Sequence, residues 1–286
     1  MPPEVVAILS AMGWASDAVL VRMGSRTSNI YGAAFLSYFV SAIWLWFYLL
    51  LYYPLQPLWT PATIYFFLSG CFQPLLARVL YYVGITRLGV SRAGPLRATT
   101  PLFALVLAVL FLHEQPTLPV YAGTLLIVGS IWLISSRGHG EAKGRLFDIV
   151  FPLAAAFVGA VSQNLRKAGL LILPDPYVGA AIATTTSLAI FAVFLLAMGK
   201  ISLVRPHRAS LPFFGSAACV SAAAQLLNFV ALSMGEVSVM VPLMDTTPLF
   251  TVVFSAIFLR DLERVTFRIV LGAFLMVGGV IIISAR

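Results

Sequence analysis

Long apolar stretches separated by short polar links make up most of the chain. Each stretch is close to the roughly 20 residues that a helix needs to cross a bilayer. None alternates with the period of two that is typical of membrane barrel strands. The stretches cover residues 3–21, 31–53, 62–85, 93–112, 118–136, 148–166, 177–197, 210–233, 237–259 and 266–285. The pattern therefore predicts an all-α integral membrane protein with ten transmembrane helices.

Composition excludes most other classes of protein. Of the 286 residues, 60% are hydrophobic and 10% are charged, whereas soluble domains are about 25% charged. The links are too short for a catalytic domain, so we predict that the protein is not an enzyme. Both cysteines, Cys71 and Cys219, lie inside apolar stretches, which argues against a disulfide framework or a cysteine metal site. No glycine-rich phosphate loop is present, and we expect no metal and no cofactor.

The net charge of +8 is explained by topology. Links after even-numbered helices hold only Arg166 and Lys167, and Arg286 ends the chain. The positive-inside rule then predicts cytoplasmic odd-numbered links and both termini on the other side. Nucleic-acid binding is not expected. The links after odd-numbered helices hold Arg22, Arg26, Arg87, Arg92, Arg137, Lys143, Arg145, Lys200, Arg205, Arg208, Arg260, Arg264 and Arg268.

An internal repeat divides the chain into two halves. Residues 99–103 read Thr-Thr-Pro-Leu-Phe, and residues 246–250, 147 positions later, read the same. Further matches at this offset are Pro95-Leu96 with Pro242-Leu243, Phe111-Leu112 with Phe258-Leu259, and Glu114 with Asp261. Each half holds five predicted helices, an odd number, so the halves should cross the membrane in opposite orientations. We predict repeats at 3–136 and 148–285, joined by a polar cytoplasmic linker at 137–147.

Motifs in both halves resemble a known family. Gly13-Trp14-Ala15-Ser16 followed by Arg22 is similar to the first-helix signature of EamA-type members of the drug/metabolite transporter superfamily. The run from Pro101 through Phe111-Leu112-His113-Glu114 to Gly123 and Gly129 resembles the signature of the fourth and fifth helices, and it recurs from Pro248 to Gly278. The resemblance implies export of amino acids, other small metabolites or drugs by alternating access. Many relatives keep both termini inside, which the charge count of this chain contradicts.

Charged residues inside the apolar stretches are the candidate site. Asp17, Arg78, Arg97 and Asp245 lie within predicted helices, where a charge is costly and usually functional. The repeat aligns Asp17 with Gln163, Arg78 with Gln225 and Tyr81 with Asn228, so matching helices of both halves carry polar groups. We predict that they face one cavity and bind substrate or couple transport. The full predicted set is Asp17, Arg78, Arg97, Asp245, Gln163, Gln225, Asn228, Trp14 and Tyr81.

Alternatives to this site remain open. Arg78 and Arg97 could extend to the cytoplasmic boundary, Asp17 could pair with Arg22, and the amides could join helices. Pro101 and Pro248 could be hinges that expose the carbonyls of Arg97 and Met244, or static kinks satisfied by neighbouring threonines. Five glycines should allow close helix contact: Gly123, Gly129, Gly272, Gly278 and Gly279.

The predicted function is secondary-active export of small metabolites such as amino acids across the inner or plasma membrane. Arg97 and Asp245 would suit the two charges of a zwitterion. Expected partners are a small-molecule substrate, membrane lipids and protons coupled through Asp17 or Asp245, with a monomer or homodimer as the assembly. The alternatives are an exchanger or importer of phosphorylated or nucleotide-linked anions, and a lipid-handling or structural membrane protein.

Overall fold

The structure, a computed structural model, describes residues 1–25, 27–52, 60–88, 90–135, 146–199, 204, 206–258 and 267–285. The predicted linker 137–147 lies outside these residues except for its last two. Asp261 and eight of the basic link residues also lie outside: Arg26, Arg137, Lys143, Arg145, Lys200, Arg205, Arg260 and Arg264.

The described chain is helical throughout and contains no strand. Eight segments are long and apolar enough to cross a membrane, and two shorter apolar helices, Pro61–Cys71 and Leu118–Ile134, accompany them. The all-α membrane class is therefore confirmed, while the count of ten spans stays a prediction. The helices are α1 (Pro3–Gly24), α2 (Ile30–Tyr52), α3 (Pro61–Cys71), α4 (Ala77–Leu88), α5 (Val90–Arg97), α6 (Thr100–Phe111), α7 (Leu118–Ser135), α8 (Val150–Ile172), α9 (Pro176–Ala197), α10 (Leu211–Met234), α11 (Val237–Met244), α12 (Thr247–Phe258) and α13 (Phe267–Ser284).

The third predicted helix, 62–85, is interrupted in the structure. Gln73 has φ −131° and ψ 129°, and a short π-helical segment, Phe72–Leu76, joins α3 to α4. Gln73 precedes Pro74, and the proline ring disfavours helical backbone in the residue before it. The prediction of one continuous helix was wrong here, although the proline was a readable signal.

The fourth and ninth predicted helices are also interrupted, at matching positions of the repeat. α5 ends at Arg97 before α6 begins at Thr100, and α11 ends at Met244 before α12 begins at Thr247. The freed carbonyls are covered by hydroxyl donors, since Thr100 Oγ1 donates to the Arg97 carbonyl at 2.8 Å and Thr247 Oγ1 to the Met244 carbonyl at 2.9 Å. The threonines thus cap both breaks in the same way. A hinge role for Pro101 and Pro248 stays a prediction.

The two halves pack on each other through reciprocal contacts. α1 of the first half packs on α10 of the second, while α8 of the second half packs on α3 and α4 of the first. Each contact includes a buried hydroxyl: Ser10 Oγ donates to the Ala224 carbonyl at 2.9 Å, and Ser162 Oγ donates to the Ser69 carbonyl at 2.9 Å. Small residues with one polar atom suit such contacts because they let helix backbones approach closely.

The last helices of the halves, α7 and α13, pack together through glycines. A Cβ on Gly123 would lie 2.5 Å from Ile283 Cγ1, and one on Gly279 would lie 2.9 Å from the Gly123 carbonyl oxygen. A Cβ on Gly272 would likewise lie only 2.6 Å from Ile134 Cγ1. Gly129 and Gly278 have nothing within 4 Å, so the expectation of close contact was wrong for these two. The interface follows one glycine face of each helix.

Gly279→Ala should lower stability by about 1–3 kcal/mol, because the new methyl meets a backbone carbonyl that has little room to move. Gly278→Ala is the matched control on the same helix. It should be neutral or slightly stabilising, since the methyl enters open space and alanine favours a helix. Thermal unfolding of the two purified variants in detergent measures the difference. Equal melting temperatures would contradict this packing of α7 against α13.

Candidate functional site

Arg97 and Asp245 form one pair of opposite charges. Arg97 ends α5, and Asp245 follows α11, so both stand at the interruptions of their helices. The two side chains are near enough for each charge to influence the other, but they form no salt bridge within 4.0 Å. Arg97 also donates to Thr100 Oγ1, and its Nη2 would lie 3.0 Å from a Cβ on Gly159 of α8. The guanidinium therefore points into the bundle rather than towards the boundary.

Asp17 and Arg78 form a second pair, which also joins two elements. The carboxylate of Asp17 on α1 interacts with Arg78 on α4. One carboxylate oxygen, Asp17 Oδ1, is buried and has no hydrogen-bond partner among the residues that the structure describes. Arg78 is exposed although side chains of α1 and α2 surround it.

Tyr38 of α2 stands where several of these groups meet. Its side chain lies in the neighbourhood of Arg78, Asp17, Tyr82 and Arg166. Tyr38 therefore stands where α1, α2, α4 and α8 come close to one another. Sequence analysis did not single out Tyr38, because a tyrosine in an aromatic-rich helix gives no distinguishing signal.

Arg166 is a buried cation that the sequence prediction misplaced. The prediction ended the sixth helix at residue 166 and put Arg166 and Lys167 in a link, but α8 continues to Ile172 and holds both residues. Arg166 is only 4% exposed. Its charge is compensated by hydrogen bonding and ring contact, since Nη1 donates to Asn228 Oδ1 at 3.0 Å and the guanidinium lies 5.0 Å from the Phe229 ring centroid. These contacts explain why the helix tolerates the charge.

Asn228 connects Arg166 to the other charge pair. While its oxygen accepts from Arg166, its Nδ2 donates to Met244 Sδ at 3.0 Å, and Met244 directly precedes Asp245. Hydrogen bonds thus link α8, α10 and α11 at this point, and the charged groups described above lie on neighbouring helices of both halves. We call this set of side chains the polar cluster: Arg78, Asp17, Tyr38, Arg166, Asn228, Asp245 and Arg97.

The remaining predicted residues join this cluster to different degrees. Gln163 lies one turn before Arg166 on α8, 8% exposed, and its Oε1 has no hydrogen-bond partner. Tyr81 interacts electrostatically with Arg97 and stacks on Tyr82, with ring centroids 6.5 Å apart. Trp14 and Gln225 are half-buried on α1 and α10. No hydrogen bond ties these last two to the cluster within the described residues.

Glu114 ties the halves together at one end of the bundle. His113 adopts a left-handed backbone, φ 54°, just after α6. The next side chain, Glu114, accepts from the backbone N–H of Val237 at 2.7 Å and of Ser238 at 2.9 Å. These are the first residues of α11, whose free N–H groups and helix dipole favour a carboxylate. A residue of the first half therefore caps a helix of the second.

Lys167 lies at the same end of the bundle as Glu114. It caps the C-terminus of α10, whereas Glu114 caps the N-terminus of α11. Its Nζ donates to the carbonyls of Leu232 at 2.9 Å and Gly235 at 2.8 Å, where α10 ends. Cations suit this position because the last carbonyls of a helix lack partners. Glu114 and Glu236 both interact electrostatically with Lys167.

A different contact joins the halves at the other end. Arg87 Nη1 of α4 lies 3.0 Å from Asp148 Oδ1, in the turn before α8. The Arg87 guanidinium also lies 4.5 Å from the Phe151 ring centroid. Arg87 precedes the apolar span Arg92–Phe111 and Glu114 follows it, so the two contacts between halves stand at opposite ends of one span.

These features define a class of protein. Many apolar helices are long enough to cross a bilayer, and charged side chains of both halves lie on these helices or at their interruptions. This is the arrangement of a multi-pass membrane protein that handles a polar solute, since charges at membrane depth line substrate or ion pathways.

Comparison with known proteins gives the family. The chain matches the EamA-like transporter family twice, over residues 1–136 and 146–285, and it belongs to that family. An uncharacterized transporter from Archaeoglobus fulgidus is 22% identical over 279 residues, which is 98% of this chain and 96% of that protein. A solved crystal structure superposes with a TM-score of 0.79 at 15% identity, covering 99% of this chain and 96% of the other. The latter similarity shows the fold alone. The protein is a membrane transporter.

Proposed function

We propose that the protein is a secondary-active exporter of small metabolites such as amino acids. It would work by alternating access between two inverted five-helix repeats. The observation that carries the proposal is the polar cluster, where two pairs of opposite charges from both halves meet inside the bundle. A zwitterion presents the same two charges, so it could replace each internal partner with a group of its own.

Reciprocal packing supports alternating access. α1 packs on α10 as α8 packs on α3 and α4, and the matching threonine caps interrupt α5–α6 and α11–α12 alike. In transporters built from inverted repeats, substrate binds at the interface of the repeats, beside interrupted helices. The contacts of Glu114 and Arg87 at opposite ends are the ones that the cycle would break in turn.

The basic links support one orientation. Arg166 and Lys167 lie inside α8. Four basic residues of the odd-numbered links likewise lie within helix ends: Arg22, Arg87, Arg92 and Arg268. The odd-numbered links still hold nine other basic residues. The asymmetry of the remaining charges favours cytoplasmic odd-numbered links. Both termini would then face outwards.

A second candidate function rests on Arg166. Three arginines and two aspartates of the polar cluster leave an excess of one positive charge, which also suits export or exchange of anionic solutes. The two functions share a site and differ in whether the substrate carries an amine.

A thermal-shift screen of the purified protein tests the proposal without assuming a direction of transport. A ligand that binds only the folded state raises the melting temperature as its concentration exceeds Kd. We expect stabilisation by one or more L-amino acids and none by nucleosides. Stabilisation by sugar phosphates but by no amino acid would favour the anion transporter and contradict the proposal.

A further inference from the structure

We propose that Arg166 binds the carboxylate of the transported solute, with the hydroxyl of Tyr38 beside it as a second contact. This inference deepens the proposed function and rests on it, because it names the group that the polar cluster recognises. It also gives a role to a residue that no sequence motif assigns.

The first argument is an unpaired donor. Arg166 Nε is buried and has no hydrogen-bond partner in the described part of the chain, although Nη1 is held by Asn228. Buried donors are almost always paired, and an unpaired one on a charged group is costly. Nε belongs to the edge of the guanidinium where two parallel N–H groups meet a carboxylate in a bidentate pair. The edge that a carboxylate would use therefore has a donor without a protein partner.

The second argument is charge. Arg78 interacts with Asp17, and Arg97 interacts with Asp245. Among the described residues none of the three arginines of the polar cluster has a carboxylate within salt-bridge distance, but Arg78 and Arg97 each have an aspartate near enough to affect their charge, whereas the titratable neighbour of Arg166 is the uncharged Tyr38. One monoanionic group would balance the cluster, whereas a phosphate dianion would reverse the sign of the excess charge. The charge balance favours a carboxylate over a phosphate.

The third argument concerns the neighbours of Arg166. Gln163 lies three residues earlier, on the same face of α8, and its buried Oε1 has no donor. Asp17 Oδ1 on α1 is also without a donor among the described residues. Unpaired acceptors beside an unpaired cation fit a solute that brings both charges. An amino group next to the carboxylate would donate to these oxygens.

Propionate tests the carboxylate part alone. We expect sodium propionate to raise the melting temperature of the full-length wild-type protein, while propionamide, which has the same shape without the charge, and inorganic phosphate do not. Arg166→Gln should raise the propionate concentration needed for half the shift at least tenfold. Arg166→Lys should recover part of the lost affinity for propionate, because a lysine keeps the positive charge but lacks the two parallel N–H donors of a guanidinium.

Two more variants separate binding from folding. Tyr38→Phe removes one hydroxyl and should lower the affinity for propionate a few-fold. This variant tests the site even if Arg166→Gln does not fold. Lys167→Gln removes one charge from the next residue of α8, where the side chain caps α10 instead, and it should leave the propionate response unchanged.

The outcomes distinguish this inference from the proposed function. A propionate shift that is equal in wild type, Tyr38→Phe and the Arg166 variants would overturn the carboxylate site and leave amino-acid transport standing. A shift that depends on Arg166, in a protein that moves no amino acid, would support the site and refute the exporter. Equal shifts with propionate and phosphate would overturn the choice of a carboxylate.

Discussion

Asp245→Asn and Arg97→Gln should each destabilise the protein by about 2 kcal/mol, while the double variant recovers most of that loss. Breaking a fully buried ion pair costs about 3–5 kcal/mol because the remaining charge is left uncompensated. Asp245 and Arg97 are half-buried, so water lowers the cost. When both charges are removed, no charge remains unpaired, and the coupling appears as non-additivity.

Transport should respond differently from stability. If the pair binds substrate, the double variant stays inactive although it folds, because both contacts for the solute are gone. Arg208→Gln is the matched control, since Arg208 is exposed at the start of the turn before α10, and it should stay within about 0.5 kcal/mol of wild type. Thermal unfolding in detergent and flux in proteoliposomes are the two measurements. A double variant that folds and transports like wild type would refute a role for the pair in transport.

The second large effect is expected at Glu114. Glu114→Ala should cost about 2 kcal/mol, because it removes two hydrogen bonds to a carboxylate; such a bond contributes about 1.5–3 kcal/mol, and at this half-buried side chain water replaces part of that. It also leaves the N-terminus of α11 without its cap. Glu114→Gln should cost less, since the amide oxygen still accepts one N–H. The unfolding midpoint, in denaturant or on heating, should be highest for the wild type, lower for Glu114→Gln and lowest for Glu114→Ala.

Glu236 supplies the control for this prediction. It precedes α11, it interacts electrostatically with Lys167 as Glu114 does, and its side chain makes no cap hydrogen bond. Glu236→Ala therefore removes the same charge near Lys167 without removing a cap, and we expect an effect within about 0.5 kcal/mol. Equal losses for Glu114→Ala and Glu236→Ala would mean that charge, and not capping, holds the halves together at this end.

The helices themselves were predictable because each is an apolar stretch of membrane length. The predicted helix 177–197 corresponds to α9, Pro176–Ala197. The predicted helix 210–233 corresponds to α10, Leu211–Met234. The prediction stopped early at Arg166 because hydropathy treats any cation as an end. The helix continues because Asn228 and Phe229, far away in sequence, compensate that charge.

The site was only partly predictable for a related reason. Asp17, Arg78, Arg97 and Asp245 stood out because an apolar stretch makes a charge conspicuous, yet which charges meet depends on helix packing. In the structure the charge near Arg97 is that of Asp245, which lies in the other half of the chain. Tyr38 gave no signal, because its role comes from three other helices that surround its hydroxyl.

Flux of radiolabelled L-amino acids in proteoliposomes tests the central claim most directly. Vesicles containing the wild-type protein should move at least one amino acid faster than empty vesicles, with a rate that rises when a pH gradient is imposed. The Arg97→Gln/Asp245→Asn double variant should reduce this flux to the level of empty vesicles, while Gly278→Ala retains it. Wild-type vesicles that move no amino acid under any gradient, while exchanging sugar phosphates, would contradict the account.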